Sequence, residues 1–157
     1  MLWDMKRKVC TKVLQSHSEG VRCLCAQVNR VQVFASGSCD KTIKLWNVAN
    51  GKCVNTLRGH TDWISCLEFL LSKQQLVSCS EDRTIRIWNL MDGCCFKILY
   101  GHTDYVYCIK LISNETQRLI SCSRDKSLKV WDLDTGKCLQ TLQVDFCVWR
   151  FEISSFR

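Results

Sequence analysis

The chain has 157 residues, 46% hydrophobic and 24% charged, which excludes a disordered segment and suits one globular unit burying roughly 70% of its unfolded surface. No run of about 18 apolar residues occurs, and no apolar core follows the basic start Met-Leu-Trp-Asp-Met-Lys-Arg-Lys, so neither a membrane span nor a signal peptide is expected. The excess of 22 Lys and Arg over 15 Asp and Glu raises nucleic acid as a partner class.

Taken in order, residues 1–15 read as the end of a repeating unit, 16–57, 58–99 and 100–142 as three complete units, and 143–157 as the start of another. In the middle unit, alternating β-branched and apolar residues predict strands over 63–70, 75–80, 84–89 and 94–99. Leu2-Trp3-Asp4 matches the end of a third strand and residues 9–14 a fourth; residues 147–153 alternate like a first strand. One leading fourth strand, twelve strands in the complete units and one trailing first strand make fourteen. Asn50-Gly51 and Asp92-Gly93 are expected to supply the positive backbone angles of tight hairpins between third and fourth strands, with Thr135-Gly136 a weaker version. The chain contains no proline, so nothing interrupts a ladder.

The recurrence is regular. Trp46, Trp88 and Trp131 lie 42 and 43 residues apart, each six positions after Asp40, Asp82 or Asp125, and His17, His60 and His102 lie 43 and 42 apart. A period of about 40 to 45 residues with Gly-His and Trp-Asp signatures is what four-stranded propeller blades leave in sequence. The chain therefore resembles the WD-repeat family of β-propellers over nearly its whole length. That resemblance implies an all-β fold of blades with four antiparallel strands, about three and a half of them, in an incomplete or open propeller. Open ends expose blade faces and strand edges, which invites self-association, and a fragment of a longer propeller without independent activity is an alternative reading.

Each unit carries one set of polar residues: His17, Ser36, Asp40 and Trp46; His60, Ser78, Asp82 and Trp88; His102, Ser121, Asp125 and Trp131. Ser, His and Asp together suggest hydrolase chemistry, but a catalytic set is built once and this one occurs three times in the same phase. In the family, the matching residues form a buried relay from the indole N–H through Ser and His to Asp. Ser38, Ser80 and Ser123 share the same strand faces, so the serine that serves is left open. The first unit has Ser16-His17 where the others have Gly59-His60 and Gly101-His102, and its turn is expected to be looser.

Of thirteen cysteines, nine recur with the units: Cys10, Cys53, Cys95 and Cys138; Cys23, Cys66 and Cys108; Cys79 and Cys122. No Cys-x-x-Cys exists, and His is spread one per unit, so neither a metal site nor a cofactor is expected. Packing of the cysteines as small apolar residues in a reducing compartment, cytoplasm or nucleus, is the reading they favour, most being too far apart to bridge. Lys41 and Lys44, Arg83 and Arg86, and Lys126 and Lys129 recur one and four positions after the turn Asp and are expected as exposed strand residues, which argues against nucleic acid.

If identical positions hold the fold, recognition falls to positions where the units differ. Three after each His stand Gly20, Trp63 and Tyr105; five after stand Arg22, Ser65 and Tyr107; before each turn Asp stand Cys39, Glu81 and Arg124. The resemblance puts these on the top rim of a propeller, so Arg22, Trp63, Glu81, Tyr105, Tyr107 and Arg124 are candidates for binding partner peptides. The expected role is a non-catalytic scaffold or adaptor for protein partners, with RNA binding as the alternative.

Overall fold

The computed structural model describes residues 2–4, 6–26, 33–70, 73–113 and 117–151. Among them there is no α-helix, and fourteen strands form four antiparallel sheets. A two-stranded sheet, β1 (Leu2–Asp4) and β2 (Val9–Lys12), leads. Three four-stranded meanders follow: β3 (Val21–Ala26), β4 (Val33–Ser38), β5 (Ile43–Asn47) and β6 (Cys53–Leu57); β7 (Ile64–Leu70), β8 (Gln75–Ser80), β9 (Ile85–Asn89) and β10 (Cys95–Leu99); β11 (Val106–Ser113), β12 (Arg118–Ser123), β13 (Ser127–Asp132) and β14 (Cys138–Gln143). This is an incomplete propeller of about three and a half blades.

The strand total matches the expected fourteen, but its make-up differs. Both a third and a fourth strand lead, and residues 147–151 are not a strand; 152 and 153 lie outside the described residues. A first strand needs a neighbour to accept its ladder, and among the described residues none follows it.

Hairpin chemistry also differs from the expectation. In the three complete blades, each turn between third and fourth strands holds four residues between its closing pair, as where Asn47 N–H donates to Lys52 O at 2.9 Å, and only the glycine takes positive φ: Gly51 at 71°, Gly93 at 74° and Gly136 at 78°. Asn50 and Asp92 are not in that region, because a four-residue loop needs one left-handed residue where a two-residue turn needs two.

The core lies between the sheets. Ala35, Ile43, Leu45 and Leu57 meet Ile64, Leu67, Leu76 and Trp88 at the first seam. Val77, Cys79, Ile85 and Leu99 meet Val106, Ile109, Leu119 and Trp131 at the second. The second strand of a blade is buried on both faces, as Leu76 to Ser80 are, so it reads Leu-Val-Ser-Cys-Ser without alternation. Gly37 has its own reason: a Cβ there would lie 2.5 Å from Ile64 Cγ2 and 2.6 Å from Cys23 Sγ.

All thirteen thiols are free. Cys79, Cys108 and Cys122 are buried as apolar packing requires, and the Cys66 and Cys108 thiols of neighbouring blades both donate to Ile109 O, at 3.7 and 3.8 Å. Cys10, Cys53, Cys95 and Cys138 depart from that reading. They pair with Trp3, Trp46, Trp88 and Trp131 on the outermost strands, half-buried or exposed, and each Sγ donates to the carbonyl two residues on, at 3.2 to 3.6 Å.

Candidate functional site

Two groups of polar and aromatic residues gather at the blade end formed by the turns before each third strand. The first is repeated. In the middle blade, the Trp88 indole Nε1–H donates to Ser78 Oγ at 2.8 Å, Ser78 Oγ lies 2.7 Å from His60 Nε2, and His60 Nδ1 lies 2.6 Å from Asp82 Oδ2. Trp46, Ser36, His17 and Asp40 repeat this at 2.8, 2.7 and 2.7 Å, and Trp131, Ser121, His102 and Asp125 at 2.8, 2.7 and 2.8 Å.

One tautomer satisfies every proton: a neutral imidazole donates Nδ1–H to the aspartate and accepts the serine hydroxyl at Nε2, while the hydroxyl accepts the indole N–H. The carboxylate is saturated as well. Asp82 Oδ2 also accepts Thr61 N–H at 3.1 Å, and Oδ1 accepts Thr84 N–H and Oγ1–H at 3.0 and 2.7 Å. Burial by itself would raise the aspartate pKa values, but these hydrogen bonds outweigh it and hold Asp40 and Asp125 down at about 2. Burial lowers His60 and His102 against the pull of their aspartates. Protonating Nε2 would leave the serine hydroxyl proton without its acceptor, which agrees with that direction.

The distances match a hydrolase triad, but the surroundings do not. Ser36, Ser78 and Ser121 are buried, and each Oγ is already engaged by an indole N–H and an imidazole. Ser78 and Ser121 lie under complete neighbouring sheets, and Ser36, which borders a cleft, has its Oγ taken up by Trp46 and His17.

Ser38, Ser80 and Ser123 do something else. Ser80 Oγ donates to Asp62 O at 3.0 Å and accepts Asp82 N–H at 3.0 Å, pinning the turn to the preceding connection; Ser38 and Ser123 do the same with Gly20 and Asp104. Thr42, Thr84 and Ser127, two positions after each Asp, are relay partners that sequence reasoning missed, although their recurrence was there to be read. Gly59 and Gly101 take φ of 152° and 149°, and a Cβ on either would lie 3.2 or 3.1 Å from the Trp88 or Trp131 ring. Ser16 is outside the positive-φ region.

The recurring cations are not all exposed strand residues. Lys41, Arg83 and Lys126 are exposed, but in the turns, at φ of 67°, 70° and 61°. Lys44 is buried, with Nζ donating to Thr56 Oγ1 at 3.2 Å, and Arg86 and Lys129 are half-buried. Third strands are interior to the sheet, so their long side chains lie along neighbours and not at an edge.

The second group is the variable rim. A backbone bond recurs at each blade: Cys39 N–H to Gly20 O, Glu81 N–H to Trp63 O and Arg124 N–H to Tyr105 O, at 2.9, 3.0 and 2.9 Å. Two of the varying positions are therefore cross-strand partners. Arg22 reaches over the seam, its guanidinium 5.0 Å from the Trp63 ring centroid and 2.9 Å from Glu81 Oε1. Ser65 at the matching place is too short to reach, and Arg124 of the third blade lies 5.4 Å from the Tyr105 ring instead. Tyr107 stacks on Trp149 at 4.5 Å. Trp149 was missed by sequence reasoning, because it lies in the segment that departs from the repeat.

Four-stranded meanders stacked face to face, each bearing the same indole-to-aspartate chain, define β-propeller blades. The family model described as WD domain, G-beta repeat matches residues 8–47, 51–89 and 93–132, and the chain belongs to the WD-repeat family. Each matched stretch starts with the last strand of one blade and ends with the third strand of the next. An uncharacterized WD repeat-containing protein of Schizosaccharomyces pombe is 40% identical over 83 residues, 50% of this chain and 22% of that protein. Pre-mRNA-splicing factor PRP46 of Candida glabrata is 46% identical over 50 residues, 32% of this chain and 12% of its own. These stretches span under a quarter of either relative. The crystal structure of the WD40 β-propeller domain of Doa1 superposes with a TM-score of 0.78 at 30% identity, over 87% of this chain and 45% of that one.

Proposed function

We propose that this chain is a non-catalytic protein–protein interaction module, a scaffold or adaptor that holds partner peptides on the rim built from Arg22, Trp63, Glu81, Tyr105, Tyr107 and Arg124. The observation that supports this reading is the placement of two cation–aromatic pairs, Arg22 with Trp63 and Arg124 with Tyr105, where the blades differ from one another. Aromatic rings and arginines at a partly exposed rim offer large contact area at low entropic cost and are the side chains interface hot spots favour. Thirteen free thiols suit a reducing compartment, so the setting is the cytoplasm or nucleus. Probing a peptide array with the wild-type chain and a Trp63→Ala, Arg124→Ala double variant tests the reading. The expected result is loss of at least tenfold in affinity for the peptides selected, about 1.4 kcal/mol or more, at an unchanged melting temperature. Equal binding by a folded variant contradicts it.

Lys41, Arg83 and Lys126 favour a second reading, because three exposed cations recur one blade apart beside the rim. RNA held there through its phosphates would bind at low salt and lose affinity steeply as salt rises. No binding of mixed RNA at low salt removes this reading.

A further inference from the structure

The cysteine-bearing outer strands hold one position whose residue changes from blade to blade. Two places after Cys10, Cys53 and Cys95 stand Lys12, Asn55 and Lys97. All three lie against the glycine in the following blade's turn between third and fourth strands. A Cβ on Gly51 would lie 2.9 Å from Lys12 Cδ, one on Gly136 3.2 Å from Lys97 Cδ, and one on Gly93 2.6 Å from Asn55 Nδ2. The position is therefore one place in space as well as in sequence.

The two lysines do the same work there. Lys97 Nζ donates to Leu133 O at 2.9 Å and to Asp134 O, and Lys12 Nζ donates to Ala49 O. The turn thus aims its carbonyls at the preceding blade. An ammonium, with three donors and no acceptor, satisfies them while its carbon stem lies along the seam.

At the seam between the first and middle complete blades the lysine is missing. Leu90 O and Met91 O stand where Leu133 O and Asp134 O stand one blade on. Asn55 ends at the δ position, where a lysine continues to Nζ, and among the described residues no side chain donates to either oxygen. A pocket of about 420 Å³ opens at this place, walled by Val33, Leu45, Phe69 and Leu90. Val54 and Met91, 55% and 78% exposed, also line it and form its mouth. Leu133 beside Lys97 is buried, whereas its counterpart Leu90 is half-buried. The pocket belongs to two complete blades, at the end of the strands opposite the rim.

We propose that this pocket takes a lysine side chain of a partner protein, which supplies from outside the group that Lys97 supplies from within the chain one blade on. Backbone carbonyls accept from a cationic donor and offer nothing to a carboxylate or a phosphate. Apolar walls suit a straight methylene stem, and an exposed methionine adapts to whatever flanks the lysine. The larger planar guanidinium of arginine is not what the neighbouring seams hold. Binding here uses no rim residue, so this site and the rim stand or fall separately.

An array of nine-residue peptides, each N-acetylated with one central lysine and varied flanks, is probed with the 157-residue chain beside a matching array carrying acetyllysine. Peptides are expected to be selected on the first array and to bind about tenfold or more weakly when acetylated, since acetylation removes the charge. Asn55→Lys fills the place from within the chain and is expected to weaken the same peptides about tenfold or more. Val54→Arg, at an exposed position, puts a like charge at the mouth and is expected to act in the same direction with circular dichroism unchanged. The Trp63→Ala, Arg124→Ala double variant is expected to bind these peptides as wild type does. Any of the following would overturn the proposal: no peptide selected, indifference to acetylation, folded Asn55→Lys or Val54→Arg binding like wild type, loss of binding in the rim variant, or n-butylamine binding as tightly as the best peptide, which would make the pocket a small-amine site.

Discussion

The first and middle blades carry nearly the same strands, yet only the middle one is buried on both faces. Leu24 and Leu67 occupy one repeat position; the first faces a cleft and the second a closed seam made with β3 and β4. Residue type alone therefore does not decide burial in a stacked repeat, because a blade cannot cover its own face and depends on its neighbour. Polar groups follow the same rule: Ser36, His17 and Trp46 line the cleft, while their counterparts in the middle blade lie under a complete neighbour.

The largest effect that sharpens this contrast is a truncation on either side of it. Leu67→Ala is expected to cost about 3 kcal/mol, since it removes a buried side chain and leaves a cavity. Leu24→Ala is expected to cost about 0.5 kcal/mol or less when urea unfolding is followed at concentrations where the chain is monomeric. Equal costs would mean that the first blade is covered after all.

Next comes the relay. Asp82→Ala strands the His60 N–H, the Thr84 hydroxyl and two backbone donors, and about 2 kcal/mol should be lost. Asp40→Ala should lose less, because its blade is open to water on one side. Melting curves of the two variants give the order, and a larger loss at Asp40 would break the comparison.

Acid should act on the same groups. His60 and His102 have lowered pKa values in the fold, so the unfolded chain binds protons first, and stability falls as pH drops below the unfolded histidine value of about 6.5. Asp40 and Asp125, held at about 2, contribute stability that is complete above the unfolded value of about 3.9 and is lost as pH falls towards 2. Urea midpoints measured from pH 8 to pH 3 should therefore be flat at the top and fall in two steps. A rise in midpoint between pH 7 and pH 5 would contradict the assigned tautomer. The smallest expected effect is Ser127→Thr, within about 0.5 kcal/mol of wild type, because Thr42 and Thr84 fill that place in the other blades.

Much of the architecture is legible in the sequence because it is written three times. The phase of Trp, Asp and His locates the third strands and the turns before them, and the differences at Trp63, Tyr105 and Arg124 mark a rim. What one unit shares with a neighbour is harder to read. Ser36 and Ser38 lie two apart on one strand face, and only the packed sheet shows that the first meets the indole while the second ties Gly20 to the turn. Lys44 looks like an exposed strand cation until its strand is placed inside the sheet. Arg22 over Trp63 joins residues of two blades through a contact that no other seam repeats, and Trp149 lies beyond the last recognisable repeat.

In the middle and last blades the repeated polar residues are sealed scaffold, whereas the aromatic residues at the varying positions stand partly open to solvent. Indole N–H exchange, read by nuclear magnetic resonance on the labelled chain, compares both in one sample. Slow exchange is expected at Trp88 and Trp131, faster exchange at Trp46 beside the cleft, and exchange near the free rate at Trp63 and Trp149. Trp88 exchanging as fast as Trp63 would contradict it.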